Sequence, residues 1–263
     1  MSSDPQPDLD LALRIADAAD RITLSRFRAS DLRVDRKPDR TPVTDADVAT
    51  EDEVRRILAA ERPDDAVLGE ERGGDTTAAR HWIVDPIDGT KNYSRGVPVF
   101  ATLLALVVDG EPVVGVVSAP ALGRRWWAAR GQGAFTSDVA RGIASAQISV
   151  SGVADLADAY VSTTDLDYWR EIGARDRWLA LTEATWESRA FGDFHHHVLV
   201  AEGLLDAAVE PGASAWDLAA PAVVVREAGG RLTDLAGTDR IDGGEALSSN
   251  GVLHDAVLGV IRP

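Results

Sequence analysis

The chain has 263 residues, 45% of them hydrophobic, which allows a sizeable core in one large domain or two closely packed smaller ones. Its 43 acidic and 27 basic residues give a formal net charge of -16, which argues against a nucleic-acid or anionic-membrane partner. It contains no cysteine, which removes disulfide frames, thiol nucleophiles, zinc-thiolate sites and iron-sulfur clusters and suits a reducing cytoplasm.

The first ten residues are rich in Ser, Pro and Asp and lack a basic segment followed by an apolar run, so no signal peptide is expected. The most hydrophobic stretch, 97–108, is too short to cross a bilayer. Leu9, Leu13, Ala16, Ala19, Ile22 and Phe27 recur at helical spacing and predict a long amphipathic first helix. Thr44-Asp45-Ala46-Asp47 has the form of a capping box, and Val54, Ile57 and Leu58 carry a second helix to about Glu61.

Between residues 81 and 130 the pattern changes to short β-rich runs over 81–84, 100–108, 113–118 and 125–129, which predicts an antiparallel sheet with helices packed on it. Trp126 and Trp127 on one strand must face opposite ways, one toward the core and the other toward a second subunit or domain. After 137–146, strands expected at 160–163, 186–191 and 207–210 alternate with helices at 165–181, 194–203 and 216–228, the last capped by Gly229-Gly230. The expected division is therefore an α+β domain over 1–140, carrying most candidate metal ligands, and an α/β domain over 141–263. No repeat or linker interrupts it.

The chemistry concentrates in Trp82-Ile83-Val84-Asp85-Pro86-Ile87-Asp88-Gly89-Thr90, where an apolar strand runs into a turn with two carboxylates three residues apart. Asp85 and Asp88 can converge beyond the strand end with the Ile87 carbonyl, an oxygen-only set suited to Mg²⁺ rather than zinc. Gly89 and Thr90 then open a short helix whose N–H groups could meet a phosphate. On pattern alone the same Asp-x-x-Asp also fits an ordinary turn with a capping Asp. His195, His196 and His197 look like a metal motif, but successive helical residues point about 100° apart, which favours plain helix-face positions. Lys37 and Glu71 are candidates for second-rank roles, bracing an acidic neighbour or binding metal indirectly.

Asp85-Pro86-Ile87-Asp88-Gly89-Thr90-Lys91-Asn92 resembles the signature of the inositol monophosphatase family. Pro42 to Asp47, Gly69-Glu70-Glu71, and Trp216-Asp217-Leu218-Ala219-Ala220 through Glu227-Ala228-Gly229-Gly230 extend the resemblance, in the expected order, over nearly the whole chain. It implies an α/β (α+β sandwich) fold of layered α-β-α-β-α architecture, as in inositol monophosphatases and fructose-1,6-bisphosphatases. It implies two or three Mg²⁺ ions, with Mn²⁺ as a substitute, held by Glu70, Asp85, the Ile87 carbonyl, Asp88 and Asp217. Asp47 and Thr90, with Glu70, would activate the attacking water without a phosphoenzyme. A homodimer and lithium sensitivity are also implied.

By the same resemblance, residues 187–194 and Glu210 fall where the family contacts substrate, which makes Arg189, Gly192, Asp193, Phe194 and Glu210 candidates alongside Asp88, Gly89, Thr90 and Asp217. Asp193-Phe194 replaces the small neutral residues usual there, and an added anion suits a cationic substrate better than a polyol. L-histidinol phosphate is such a substrate. Gly123 to Gly131, Gly192-Asp193-Phe194 and Leu199 to Gly203 resemble the histidinol-phosphate phosphatase branch of the family. The rival expectations are an inositol, sugar or nucleotide phosphatase of the same family, and a non-catalytic partner in a transcription complex.

Overall fold

The computed structural model describes residues 4–38, 41–74 and 77–262; the first three residues of the Ser/Pro/Asp-rich opening, on which the expectation of no signal peptide partly rests, lie outside that range. The chain begins with α1 (Gln6–Arg26), a small β1 (Val34–Arg36) and β2 (Pro42–Thr44) ribbon, and α2 (Asp45–Glu61). The capping box at the start of α2 is formed: Thr44 Oγ1 accepts from the N–H groups of Ala46 and Asp47, and the Asp47 carboxylate accepts from Thr44 N–H.

Seven strands follow in sheet order: β3 (Ala66–Gly69), β4 (Arg80–Asp88), β5 (Ala101–Val108), β6 (Glu111–Ala119), β7 (Arg124–Ala129), β8 (Ala134–Asp138) and β9 (Ile143–Ile148), with α3 (Thr90–Ser94) between β4 and β5. β3 runs parallel to β4 and all other neighbours are antiparallel. The segment expected to part the two halves, 137–146, contributes to the hairpin of β8 and β9, so this sheet reaches Ile148.

The remainder comprises β10 (Tyr160–Thr163), α4 (Leu166–Glu171), α5 (Arg175–Ala184), β11 (Glu187–Arg189), α6 (Asp193–Ala201), β12 (Ala207–Glu210), α7 (Ala215–Glu227), β13 (Arg231–Thr233), β14 (Ala246–Ser249) and α8 (His254–Ile261). Its five strands order as β11-β10-β12-β14-β13, parallel among the first three and antiparallel beyond. The single helix expected over 165–181 is two, because Gly173 adopts φ 66° and the N–H of Ala174 turns back to the Trp169 carbonyl at 2.8 Å. A left-handed residue of this kind ends a helix, and glycine takes it without steric cost.

Period-two alternation along the long strands separates the layers. Trp82, Val84, Leu104, Leu106, Val114 and Val116 pack against Ile15 of α1 and Val54 and Leu58 of α2. Ile83, Leu103, Ala105, Val117 and Trp126 face the other way, onto Phe194 and Val198 of α6 and Ala219 and Val223 of α7. α7 also contacts β13 and β14, so α6 and α7 fill the space between the two sheets. α5 and α8 close the far side of the second sheet through Trp178, Leu181, Val257 and Leu258 around Val161, Val209 and Leu247. The layers therefore read α-β-α-β-α, as expected. Each large apolar side chain fully buried in these seams contributes about 1.5–3 kcal/mol.

Trp126 is buried between the sheet and Phe194, while Trp127 points to the opposite face, stacks on Phe135 with ring centroids 6.2 Å apart, and lines a groove with Leu9 and Leu13 of its own chain. Among the described residues no helix is long and apolar enough to cross a membrane.

Candidate active site

In a regular strand, residues three apart point to opposite faces. β4 escapes this through a bulge: Asp85 pairs with Leu103 and Asp88 with Ala101, so three steps on β4 match two on β5. The extra residue turns both carboxylates toward one cavity. The Thr102 hydroxyl donates to the Pro86 carbonyl at 2.8 Å, satisfying backbone that the bulge frees, and Gly89 at φ 81° ends the strand. The N–H of Ile87 donates to Asp85 Oδ1 at 2.9 Å and fixes that carboxylate.

Asp217 enters from the first turn of α7, where its Oδ2 accepts from the N–H of Ser214 at 2.6 Å. Oxygens of Asp85, Asp88 and Asp217 lie within 4.8 Å of one another. Glu70, just after β3, borders the same cavity of about 360 Å³, as do Ile87, Gly89 and Thr90. Its Oε1 accepts from Lys37 Nζ at 2.7 Å, and the same ammonium reaches Glu71 at 2.7 Å. The loop is shaped by Glu51, a fully buried carboxylate that accepts from the N–H groups of Glu71 and Arg72. A side chain at Gly69 would meet Glu51 Oε1 at 2.1 Å, so the turn into Glu70 needs glycine.

The electrostatics of this cluster favour cations. Burial pushes Asp85 well above the carboxylate range, and Glu70, Asp88 and Asp217 add repulsion. Asp88 is raised in the same way, first by burial and then by Asp193, Asp217 and Glu210. Asp217 rises to about 7, driven by burial and then by Glu210 and Glu70 against the opposing Ser214 N–H. Buried carboxylates that repel one another and offer only oxygen fit a hard divalent cation, whose charge would keep them ionised.

Asp47, in the first turn of α2, is also buried. One carboxylate oxygen accepts from the N–H of Thr44 at 2.8 Å and from its hydroxyl at 2.5 Å; the other faces the Thr90 hydroxyl at 3.2 Å. Thr90 Oγ1 also lies 2.8 Å from the Ile87 carbonyl. Burial raises the Asp47 carboxyl to about 6, although its hydrogen bonds with Thr44 and Thr90 oppose the shift.

Asp193 and Glu210 border the cavity from the second half of the chain. Asp193 begins α6 in a left-handed conformation, φ 48°, an uncommon one for a residue other than glycine. Burial raises its carboxyl to about 6, Glu210 adds to the effect and Lys91 opposes it. Glu210, at the end of β12, accepts from the Thr164 hydroxyl at 2.7 Å through Oε1. Its Oε2 lies 2.9 Å from His197 Nε2 and 3.4 Å from His196 Nε2. Burial opposes its charge, but these imidazoles outweigh that and hold the carboxyl well below the usual range. Burial lowers His196 to about 4.

His196 and His197 thus converge on one carboxylate, against the expectation that neighbours on a helix must diverge, because both rings reach inward to the second sheet. His195 follows the expectation, its ring packed against Phe191 and Phe194. Three expected substrate contacts lie elsewhere. Arg189 is exposed and bonded to Glu187 Oε1 at 2.6 Å, since β11 is an edge strand that turns it outward. The Phe194 ring is buried against Trp126, and it is its backbone N–H that donates to Asp88 Oδ2. Gly192 serves as a backbone pivot at φ 66°, so close to Thr164 that a Cβ would lie 3.2 Å from its Cα.

Thr164, Tyr168, Lys91 and Trp216 also border the cavity, although none of them was among the expected site residues. Lys91 Nζ stands 5.7 Å from the centre of the Tyr168 ring. Lys91 sits inside the first signature and was open to notice; Tyr168 lies on a helix whose pattern gives no sign of which residue faces the cavity.

The ends of β4 and β12 meet the first turns of α2, α6 and α7 here, and they bring a cation-seeking carboxylate cluster beside a hydrogen-bonded Thr–Asp pair. That combination, in this five-layer fold, defines a phosphoric monoester hydrolase. Residues 4–262 match the inositol monophosphatase family, and the chain belongs to it. It is 59% identical over 252 residues to a histidinol-phosphatase of Mycobacterium tuberculosis, covering 95% of this chain and 96% of that one. It is 51% identical over 260 residues to a histidinol-phosphatase of Streptomyces coelicolor, covering 97% of each. Among solved structures, the IMPase of Thermotoga maritima superposes with a TM-score of 0.85 at 30% identity, over 97% of this chain and 96% of that one.

Proposed function

We propose that this protein hydrolyses L-histidinol phosphate to L-histidinol and inorganic phosphate in histidine biosynthesis. The observation that carries the reading is the pair Asp193 and Glu210, two carboxylates that border the cavity in addition to the cluster around Asp85. Glu210 is held ionised by hydrogen bonds from neighbouring side chains, an arrangement that suits a substrate ammonium. A neutral polyol would leave that charge uncompensated. Tyr168 and Trp216 provide aromatic surface in the same cavity for an imidazole. The two histidinol-phosphatases at 59% and 51% identity support the same substrate.

Glu70, Asp85, the Ile87 carbonyl, Asp88 and Asp217 would hold Mg²⁺, which supplies positive charge for the phosphate and lowers the cost of ionising water. Asp47 accepts the proton of the attacking water through the Thr90 hydroxyl, to which it is already bonded. A carboxyl raised to about 6 is matched to moving a proton near neutral pH. Water adds to phosphorus, the bond from phosphorus to the ester oxygen breaks, and the leaving alkoxide takes a proton from a second water molecule to give the alcohol. Asp85 acts as a ligand in this scheme, and no phosphoenzyme forms. The reading includes a cytoplasmic setting, in keeping with a chain free of cysteine, and a homodimer.

With Mg²⁺ present, kcat/KM for L-histidinol phosphate should exceed that for inositol 1-phosphate, fructose 1,6-bisphosphate and glycerol phosphate by at least about tenfold, or about 1.4 kcal/mol of transition-state binding. Equal rates across that panel, or a preference for the inositol ester, would overturn the assignment.

A further inference from the structure

Glu210 is 5% exposed and sits at the end of β12, where the geometry around it is more elaborate than burial requires. Its two oxygens are divided between two sets of partners. Oε1 takes the Thr164 hydroxyl at 2.7 Å, and Oε2 faces the Nε2 atoms of His197 and His196 at 2.9 and 3.4 Å. The two imidazoles are completely buried and lie 3.1 Å apart, Nε2 to Nε2.

Each ring is tied to the sheet behind it. His197 Nδ1 is 2.8 Å from the hydroxyl of Ser248 on β14, and His196 Nδ1 is 3.5 Å from the hydroxyl of Ser162 on β10. Those strands flank β12, with Ser248 paired to Ala208 and Ser162 also paired to Ala208. Ser248, His197 and Glu210 therefore form a chain from the sheet to the cavity, with His196 and Ser162 beside it. A carboxylate held only at one oxygen can rotate about its last bond; one held at both is fixed in orientation.

We propose that His196 and His197 are positioning residues for substrate recognition: they anchor Glu210 so that its carboxylate edge meets the substrate's cationic amine without reorganising. The inference rests on the reading that Glu210 pairs with that amine. It adds a requirement for two residues that do not border the cavity, and it accounts for two adjacent buried histidines on α6 that the reaction itself does not use. Preorganising a charged partner in this way strengthens binding because little orientational freedom is lost when the ligand arrives.

The test compares two esters, L-histidinol phosphate and the amine-free glycerol phosphate, with the full-length Mg²⁺-loaded protein and the variants His197→Phe, His197→Gln and Glu210→Gln. His197→Phe should raise KM for L-histidinol phosphate at least about tenfold, with kcat changed less than about threefold and glycerol phosphate hydrolysis unaltered. His197→Gln can replace the Nε2 donor and should recover most of the lost affinity. Glu210→Gln, which removes the proposed partner of the amine itself, should raise KM for L-histidinol phosphate by more than it raises KM for glycerol phosphate.

If Glu210→Gln impairs both esters alike, the ammonium reading of Glu210 itself fails. If Glu210→Gln is selective but His197→Phe is not, or if Gln at 197 gives no rescue, only the positioning role is overturned. Should His197→Phe fail to fold, His197→Leu, which also removes the ring nitrogens, is read on the same two esters: a KM increase confined to L-histidinol phosphate supports the proposal, and an equal loss on both esters overturns it.

Discussion

Thr90 has one hydroxyl proton and two acceptors in reach, Asp47 Oδ1 at 3.2 Å and the Ile87 carbonyl at 2.8 Å. It can satisfy only one at a time, which leaves it able to pass a proton toward Asp47 while it orients water. Thr90→Val keeps the shape and removes the hydroxyl, so kcat should fall at least about a hundredfold while KM stays within about threefold. Thr90→Ser should keep most of the activity. Steady-state kinetics on both variants check this, and a valine variant retaining a tenth of wild-type kcat would remove Thr90 from the proton path. At this scale the signature around Asp85 was readable because ligands, bulge and helix start occupy neighbouring positions. Arg189 pairs with Glu187 on the surface instead of bordering the cavity, and nothing local reveals that β11 is an edge strand.

Among the elements, α7 matters most, since it carries Asp217 and packs on both sheets. Its backbone approaches β6 so closely that a Cβ on Gly115 would meet the Ala220 carbonyl at 2.5 Å. Pro221 lies inside the same helix and has no N–H to offer the Asp217 carbonyl one turn earlier. The helix therefore lacks one of its own hydrogen bonds, which its packing on both sheets offsets. Gly115→Ala should push α7 away from the sheet, destabilise the fold by about 1–3 kcal/mol and displace Asp217. Urea unfolding and the Mg²⁺ concentration for half-maximal activity should both register the change; a variant with a normal midpoint and normal Mg²⁺ dependence would show that α7 has slack. Period-two and 3.6-residue patterns revealed most of the elements, whereas the split of α4 from α5 depended on one glycine adopting a left-handed turn.

Across the whole molecule, a formal charge of -16 is combined with a cavity lined by carboxylates, so folding works against repulsion unless cations bind. Asp47 and Asp193 both rise to about 6 on folding, from an ordinary 3.8. A group that binds its proton more tightly when folded gives stability that is complete below about pH 4 and lost as pH rises through about 6. In chelator, the melting temperature should fall between about pH 4 and 6.5, and Asp193→Asn should flatten part of that fall. Mg²⁺ should restore stability at the upper end. Melting curves with and without chelator measure it; a metal-free protein that gains stability over this range would contradict the picture.

The sequence by itself determined the family, the layered fold and the principal acidic residues, because the signature segments keep ligand, turn and helix cap within a few positions of one another. Short-range geometry settles such features. Only the tertiary structure decided which of the second-half residues face the cavity. Asp193, Tyr168 and Glu210 reach it from α6, α4 and β12, while Arg189 and the Phe194 ring turn away. It also decided that His196 and His197 close on a single carboxylate. The distance from a residue on α6 to the end of β12 follows from how the middle helices seat between two sheets, and no local pattern carries that information.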